Sequence, residues 1–201
     1  MVIGEDAHLK GLSGARRAKL YLEGTMRISG AFANTDSPAC ARKLTRKWPH
    51  GGQTFSFDLG GSMRGEPFHA NQFCAEVKNY RNGSDQGTHF SEFLAKCYVA
   101  QKGDYLFGDH YMWITWAPFS AKSWSQLCSS EKVTEGVIRH RDRIFGSISE
   151  QSARLRVDAS IAKDVASRTW LIVLSEKQEQ LLPLAEWRGI VAHELTLRGE
   201  W

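Results

Sequence analysis

Two short segments with strict two-residue alternation constrain this chain more than any other feature. In TFSFDL, residues 54–59, Phe55, Phe57 and Leu59 fall on one side while Ser56 and Asp58 fall on the other. In QFCAEVKNY, residues 72–80, Phe73, Ala75 and Val77 oppose Cys74, Glu76 and Lys78. Successive side chains of a strand point to opposite faces, so both segments are expected as half-buried strands, the second antiparallel to the first. Asp58, Glu76 and Lys78 all leave the apolar side. Paired strands would bring two carboxylates and an ammonium together.

The remaining pattern surrounds these strands with helices. Residues 12–28 place Ala15, Ala18, Leu22 and Met26 at helical spacing, which predicts an opening amphipathic helix broken near Gly24 or Gly30. Residues 33–52 are rich in turn formers and read as a basic connecting loop with one short helix around Arg42. Phe90, Phe93, Leu94, Cys97 and Tyr98 recur at helical spacing, with Thr88 as the expected cap and Gly103 as the stop. YMWITWAPF, residues 111–119, predicts a third strand ended by Pro118. One helix is expected over 130–144 with Val133, Val137 and Ile138 inward, and another over 150–167. The apolar run TWLIVLS, residues 169–175, reads as a central strand buried on both faces. Trp113, Trp116 and Trp124 are better explained by strand propensity and packing than by base stacking. Gly60-Gly61 reads as a turn after Asp58.

Alternating strands and helices predict a single α/β domain over 1–201, with its core in about 12–175 and residues 176–201 packing on it or mediating oligomerisation. Apolar residues make up 42% and charged residues 24% of the 201, a globular composition. No apolar run approaches membrane-spanning length and no signal peptide is evident, so a soluble, cytoplasmic protein is expected. Cys40, Cys74, Cys97 and Cys128 are too scattered for a zinc site and are expected as reduced packing residues. A net charge of +4 permits a polyanionic partner without requiring one. Local basic clusters include Arg16, Arg17 and Lys19, then Arg42, Lys43, Arg46 and Lys47, then Arg139, Arg141 and Arg143. Each can be a solvated face or a phosphate contact; Arg16, Arg17, Arg42, Lys43, Arg139 and Arg141 are the nucleic-acid-binding candidates.

Glu76-Val77-Lys78 is the chain's only acidic-x-Lys tripeptide, and seventeen residues separate it from Asp58. Two carboxylates can hold one magnesium ion, while a nearby ammonium stabilises charge that develops on a phosphate. This arrangement on successive strands, followed by a helix, resembles the PD-(D/E)xK nuclease superfamily over about Phe55 to Phe119. Phe57 stands where that family often has proline. The resemblance implies a restriction-endonuclease-like α/β/α core, a central mixed β-sheet flanked by helices. It also implies a magnesium-dependent endonuclease acting on DNA, expected to be double-stranded, with manganese able to substitute. Asp58 and Glu76 would bind the metal, the Val77 carbonyl would complete its protein shell, and Lys78 would assist the attacking water.

The family often adds an acid from its opening helix, for which Glu23 is the candidate, with a plain Lys19 ion pair as the competing explanation. The family's glycine-glutamate at that helix is represented here by Gly14-Ala15. Gln86 is an auxiliary candidate. Glu92 and Lys96, four apart, read as a surface ion pair or as a contact to the site. Defence-system nucleases of this type also imply a homo-oligomer or a sensor subunit as partner. The alternatives are a buried salt-bridge network without catalysis, or a nucleic-acid-binding or scaffolding module whose catalysis has lapsed.

Overall fold

The structure, a computed structural model, describes residues 3–79, 85–183 and 185–199. The chain opens with α1 (Ile3–Gly24), then β1 (Ile28–Ala33) and α2 (Pro38–Leu44). A small hairpin follows, β2 (Thr45–Lys47) and β3 (Thr54–Ser56), leading to β4 (Leu59–Met63) and β5 (Gln72–Lys78). Next come α3 (Gln86–Lys102), β6 (His110–Thr115) and a 3-10 segment at Ala121–Gln126. The helices α4 (Ser130–Arg139), α5 (Arg141–Phe145), α6 (Glu150–Arg156) and α7 (Ala159–Arg168) precede β7 (Thr169–Val173), α8 (Glu176–Glu179) and α9 (Ala185–Leu197).

Five strands form one mixed sheet in the order β1-β4-β5-β6-β7. The β1/β4 and β4/β5 pairs are antiparallel, while β5/β6 and β6/β7 are parallel. Parallel neighbours need a crossover, and α3 supplies it between β5 and β6. On one face, Ala15, Ala18 and Leu22 of α1 pack against Leu59, Phe73, Ala75 and Ile114. On the other, Phe93, Leu94 and Cys97 of α3 join Trp113, Val133, Val137 and Val165. The α/β class and the mixed central sheet flanked by helices agree with the sequence pattern. No described helix is long and apolar enough to cross a membrane.

Local chemistry accounts for many of the boundaries. Ser37, Ser129, Ser149 and Asp158 accept backbone amides at the starts of α2, α4, α6 and α7, each cap contributing about 1 kcal/mol. Pro38 occupies the first turn of α2, where its missing amide costs nothing. Gly103 ends α3 as expected, but Asp85, rather than Thr88, precedes the helix, which therefore starts earlier.

The structure corrects several expectations. Met26 lies beyond α1 with φ 65, because the chain must reverse there into β1, a strand the turn-rich sequence concealed. Residues 54–59 are not one strand: β3 ends at Ser56, pairs only with β2, and Leu59 begins a strand of the main sheet. The step through Phe57 and Asp58 turns the chain over, so Phe57 packs on the α3 side and Leu59 on the α1 side. Gly60-Gly61 is strand rather than turn. A Cβ on Gly61 would stand 2.3 Å from the Gly30 carbonyl oxygen, and one on Gly60 2.7 Å from Leu44, so glycine permits the close packing there.

The third strand stops at Thr115, before Pro118. The helix expected over 130–144 breaks at His140, and the one over 150–167 breaks at Val157, where Asp158 caps a new helix. Strand β7 is an edge strand with Trp170 36% exposed, so its apolar run does not mark a sheet centre. Tyr80 and Trp201 lie outside the described residues.

Candidate active site

Asp58 sits where the chain passes from the small hairpin into the main sheet. Its amide donates to Ala75 O at 2.9 Å, its carbonyl accepts from Asn34 N at 3.0 Å, and its Oδ2 accepts from Val77 N at 2.8 Å. The side chain thus takes the amide of the next outward-facing position along the β5 edge, extending the β4/β5 ladder by one bond. A strand residue directs its amide and carbonyl to the same edge, so the Val77 carbonyl is also directed toward the Asp58 side. The Val77 side chain packs in the α1-side core.

Glu76 and Lys78 occupy the opposite face of β5, toward α3, as the alternation predicts. Lys78 Nζ donates to Glu76 Oε1 at 2.8 Å and stands 5.9 Å from the centre of the Trp113 ring. A second ammonium completes the group: Lys96 of α3 donates to Glu76 Oε2 at 3.1 Å and to the Ser56 carbonyl at 3.4 Å. All three charged chains are largely buried, with side-chain exposures of 8% for Glu76, 18% for Lys78 and 12% for Lys96.

The two acids differ electrostatically because both cations fall on one of them. Burial works to raise the Glu76 carboxyl, but Lys96 and Lys78 overcome it and hold the group below its ordinary value. For Asp58, burial and then the Glu76 charge outweigh Lys78, the Val77 amide and Lys96, and its carboxyl is raised from 3.8 to about 6. Two carboxylates and two ammonium groups balance in charge, yet Asp58 has no ion pair of its own among the described residues.

Of the two readings the sequence allows for Lys96, a surface pair with Glu92 or a contact to the site, the structure shows the second. Glu92, its expected partner, instead binds Arg143 at 2.7 Å. A signal was present: Lys96 lies three residues after Phe93 and four before Ala100, both fully buried, which places it on the inward side of α3.

The other expected residues fall elsewhere. Glu23 accepts the Ala31 amide at 3.2 Å, steadying the edge strand, and Lys19 pairs with Asp36. The part of α1 nearest the end of β5 is Gly14, whose Cβ would meet Asn79 at 2.7 Å. Glu23 is nine residues farther on, about 13 Å along the helix, which removes it from the cluster.

Gln86 is fully buried, donating to Ala117 O at 2.9 Å and accepting from Thr115 Oγ1 at 3.0 Å; it ties the start of α3 to the end of β6. Arg17 is engaged by Glu179 at 2.6 Å and stacks on Trp116, and Arg141 binds the carbonyls of Ile138 and Ile148. Both are committed to internal contacts. Arg16 on α1, Arg42 and Lys43 on α2 and Arg139 on α4 are exposed, and none of them belongs to the elements that carry Asp58, Glu76, Lys78 and Lys96.

Comparison of the chain with protein-family models, with curated proteins and with solved structures finds no match. Among the described residues no group of three or more His, Cys, Asp or Glu side chains gathers as a metal cluster. The oxygen donors at the site are two carboxylates and the strand backbone.

Proposed function

We propose that this chain is a metal-dependent phosphodiesterase, an endonuclease acting on double-stranded DNA with a restriction-endonuclease-like core. The observation that supports it most is Asp58, fixed by the Val77 amide beside Glu76 while Lys78 and Lys96 both serve Glu76. Asp58 at the entry to β4, Glu76 and Lys78 on the adjacent β5, and α3 next in the chain keep the arrangement on which the PD-(D/E)xK resemblance rests.

Magnesium fits the donor set. Asp58 is a buried carboxyl with a like charge beside it and no cation of its own, and magnesium needs few protein carboxylates. Asp58, Glu76 and the Val77 carbonyl are the groups that would hold it. Bound there, the ion would neutralise phosphate charge and acidify a water.

The chain's own residues supply the rest. The Val77 amide keeps one Asp58 oxygen fixed, which leaves the other as the oxygen that would bind the ion. Lys78 places an ammonium on Glu76 and near enough to Asp58 to act on its charge, where it would meet a developing oxyanion. Lys96 holds the second oxygen of Glu76, so Lys78 can leave that carboxylate without stranding its charge.

A second reading has its own support. Both Glu76 oxygens are already satisfied by ammonium groups, as in a closed internal salt bridge, and this favours a DNA-binding or scaffolding module with lapsed catalysis. Cleavage separates the two. Purified protein is expected to cut DNA with magnesium or manganese, to stop in chelator, and to lose at least about a thousandfold activity as Asp58→Ala or Lys78→Ala while keeping its affinity. DNA binding without cleavage under any metal or nucleic-acid type would leave the module.

The exposed apolar side chains of α9, Trp187 at 55% and Ile190 at 60%, support a second copy or a sensor subunit as the protein's partner. A restriction or antiphage role and a cytoplasmic setting complete the proposal.

A further inference from the structure

A groove of about 690 Å³ lies between the β2–β3 hairpin, the end of α3 and helices α5 and α6. Its walls carry Arg46, Lys47, His50, Lys102 and Arg156, and no acidic side chain lines it. Val99, Ile144 and Phe145 give it an apolar floor. Arg46 stacks on Tyr105 at 5.0 Å; none of Arg46, Lys47, Lys102 or Arg156 has a carboxylate within ion-pair distance among the described residues.

Several cations elsewhere have an acid beside them. Arg17 has Glu179, Lys19 has Asp36, Arg143 has Glu92, Lys132 has Glu135 and Arg154 has Glu150. Like charges brought together repel; Asp158 acts on Lys102 from beyond ion-pair distance, and no carboxylate lines the groove itself. The groove is therefore complementary to an anion from outside, one with several charges spaced along its length.

Two elements lead from the acid–lysine cluster to this groove. Lys102 is six residues beyond Lys96, about 9 Å along α3. On the hairpin, Ser56 accepts Lys96 and pairs with Thr45, and the following positions across the ladder are Arg46 and Lys47. A polymer whose phosphate lies at the cluster would reach the groove within two or three nucleotide steps, at about 3.4 Å per step on one strand.

We propose that this groove binds the phosphate backbone of a DNA duplex flanking the scissile position, with Lys47, Lys102 and Arg156 as phosphate contacts. The choice of DNA rests on the nuclease reading; the charge and shape of the groove do not. Of the basic cluster at 42–47, Arg46 and Lys47 line the groove, while Arg42 and Lys43, like Arg16, are then peripheral.

The test is fluorescence anisotropy with a short labelled DNA duplex, in chelator so that nothing is cut, over a salt series. Lys47, Lys102 and Arg156 are exposed, and none is in an ion pair among the described residues, so the triple alanine variant should melt within about 2 °C of the wild type. It is expected to bind at least about tenfold more weakly, and its log-affinity against log-salt slope should flatten by about 2.7, three contacts at about 0.9 each. The Arg16→Ala, Arg42→Ala, Lys43→Ala protein should stay within about twofold of wild type.

Equal losses in both variants, no loss in the first, or tighter binding of an RNA duplex of the same sequence overturn the assignment. A wild-type protein that binds through the groove yet never cleaves leaves the groove standing and removes the nuclease. One that cleaves while the groove variant binds normally does the reverse.

Discussion

At Glu76 two ammonium groups compete with burial and win, and of the two Lys96 exerts the stronger charge attraction. Lys96→Met keeps the apolar stem and removes the charge, leaving a buried carboxylate with one partner. A loss of about 2–3 kcal/mol at pH 7 is expected by urea denaturation, at the low end for breaking a buried ion pair because Lys78 remains. Since the folded carboxyl is held low, its stabilisation is present above the ordinary carboxylate range and lost as pH falls through the folded value. The Lys96→Met deficit should accordingly shrink toward pH 4. A deficit independent of pH would mean that Lys96 acts only through packing.

Asp58 has the opposite sign: with its carboxyl raised from 3.8 to about 6, the folded protein keeps a proton that the unfolded chain releases, so its contribution falls as pH rises between those values and is flat above. Relative to wild type, Asp58→Asn should gain on the order of 1–3 kcal/mol between pH 4 and pH 7. Millimolar magnesium should raise the wild-type melting temperature at pH 7 and leave Asp58→Asn unmoved. The same rise in both proteins would place the ion elsewhere.

Strands β1 and β4 approach each other through glycine. Gly61→Ala would drive a methyl into the Gly30 carbonyl oxygen 2.3 Å away, whereas at Gly30, opposite Ser62 in the register, an added methyl meets nothing within 4 Å. The first is expected to cost at least about 3 kcal/mol and the second under about 1, read as urea midpoints. Similar costs for both would mean that strand propensity, not contact, keeps Gly61. Because β4 begins one residue after Asp58, displacement of this strand should also weaken magnesium's effect on melting.

At the start of α3, Gln86→Ala would remove the closer of the two donors to the Ala117 carbonyl, leaving it the Thr115 hydroxyl at 3.3 Å, and is expected to cost about 1 kcal/mol. Activity measured well below the melting temperature should change less than about threefold, the result expected of a residue that joins α3 to β6 and touches no substrate. A loss approaching that of Lys78→Ala would return Gln86 to the catalytic group.

Across the whole molecule, the sheet and its two helical faces enclose the large apolar side chains, whereas Leu181, Trp187, Ile190 and Leu197 stay more than half exposed. A helix that buries so little of its apolar surface gains little from the fold that carries it. Trp187→Ser with Ile190→Ser should shift the melting temperature of the monomer by less than about 2 °C. In sedimentation it should lower the mass if α9 joins two copies, and an unchanged mass would assign that helix no role in self-association.

Period-two alternation in 72–78 and helical spacing in 86–102 are local consequences of backbone geometry, so β5, α3 and the common side of Glu76 and Lys78 were legible directly from residue order. The α/β class followed from the same periodicities. Three matters were not local. Gly60-Gly61 looks the same in a turn as in a tightly packed strand until a neighbouring carbonyl is in place. Phe57 and Leu59 share a side only if the strand is continuous, and the crossing between two sheets at Asp58 separates them. Lys96 has an equally good partner four residues earlier on its own helix. Only the folding of α3 over β5, which puts a buried carboxylate within reach of its ammonium, decides that Lys96 turns inward.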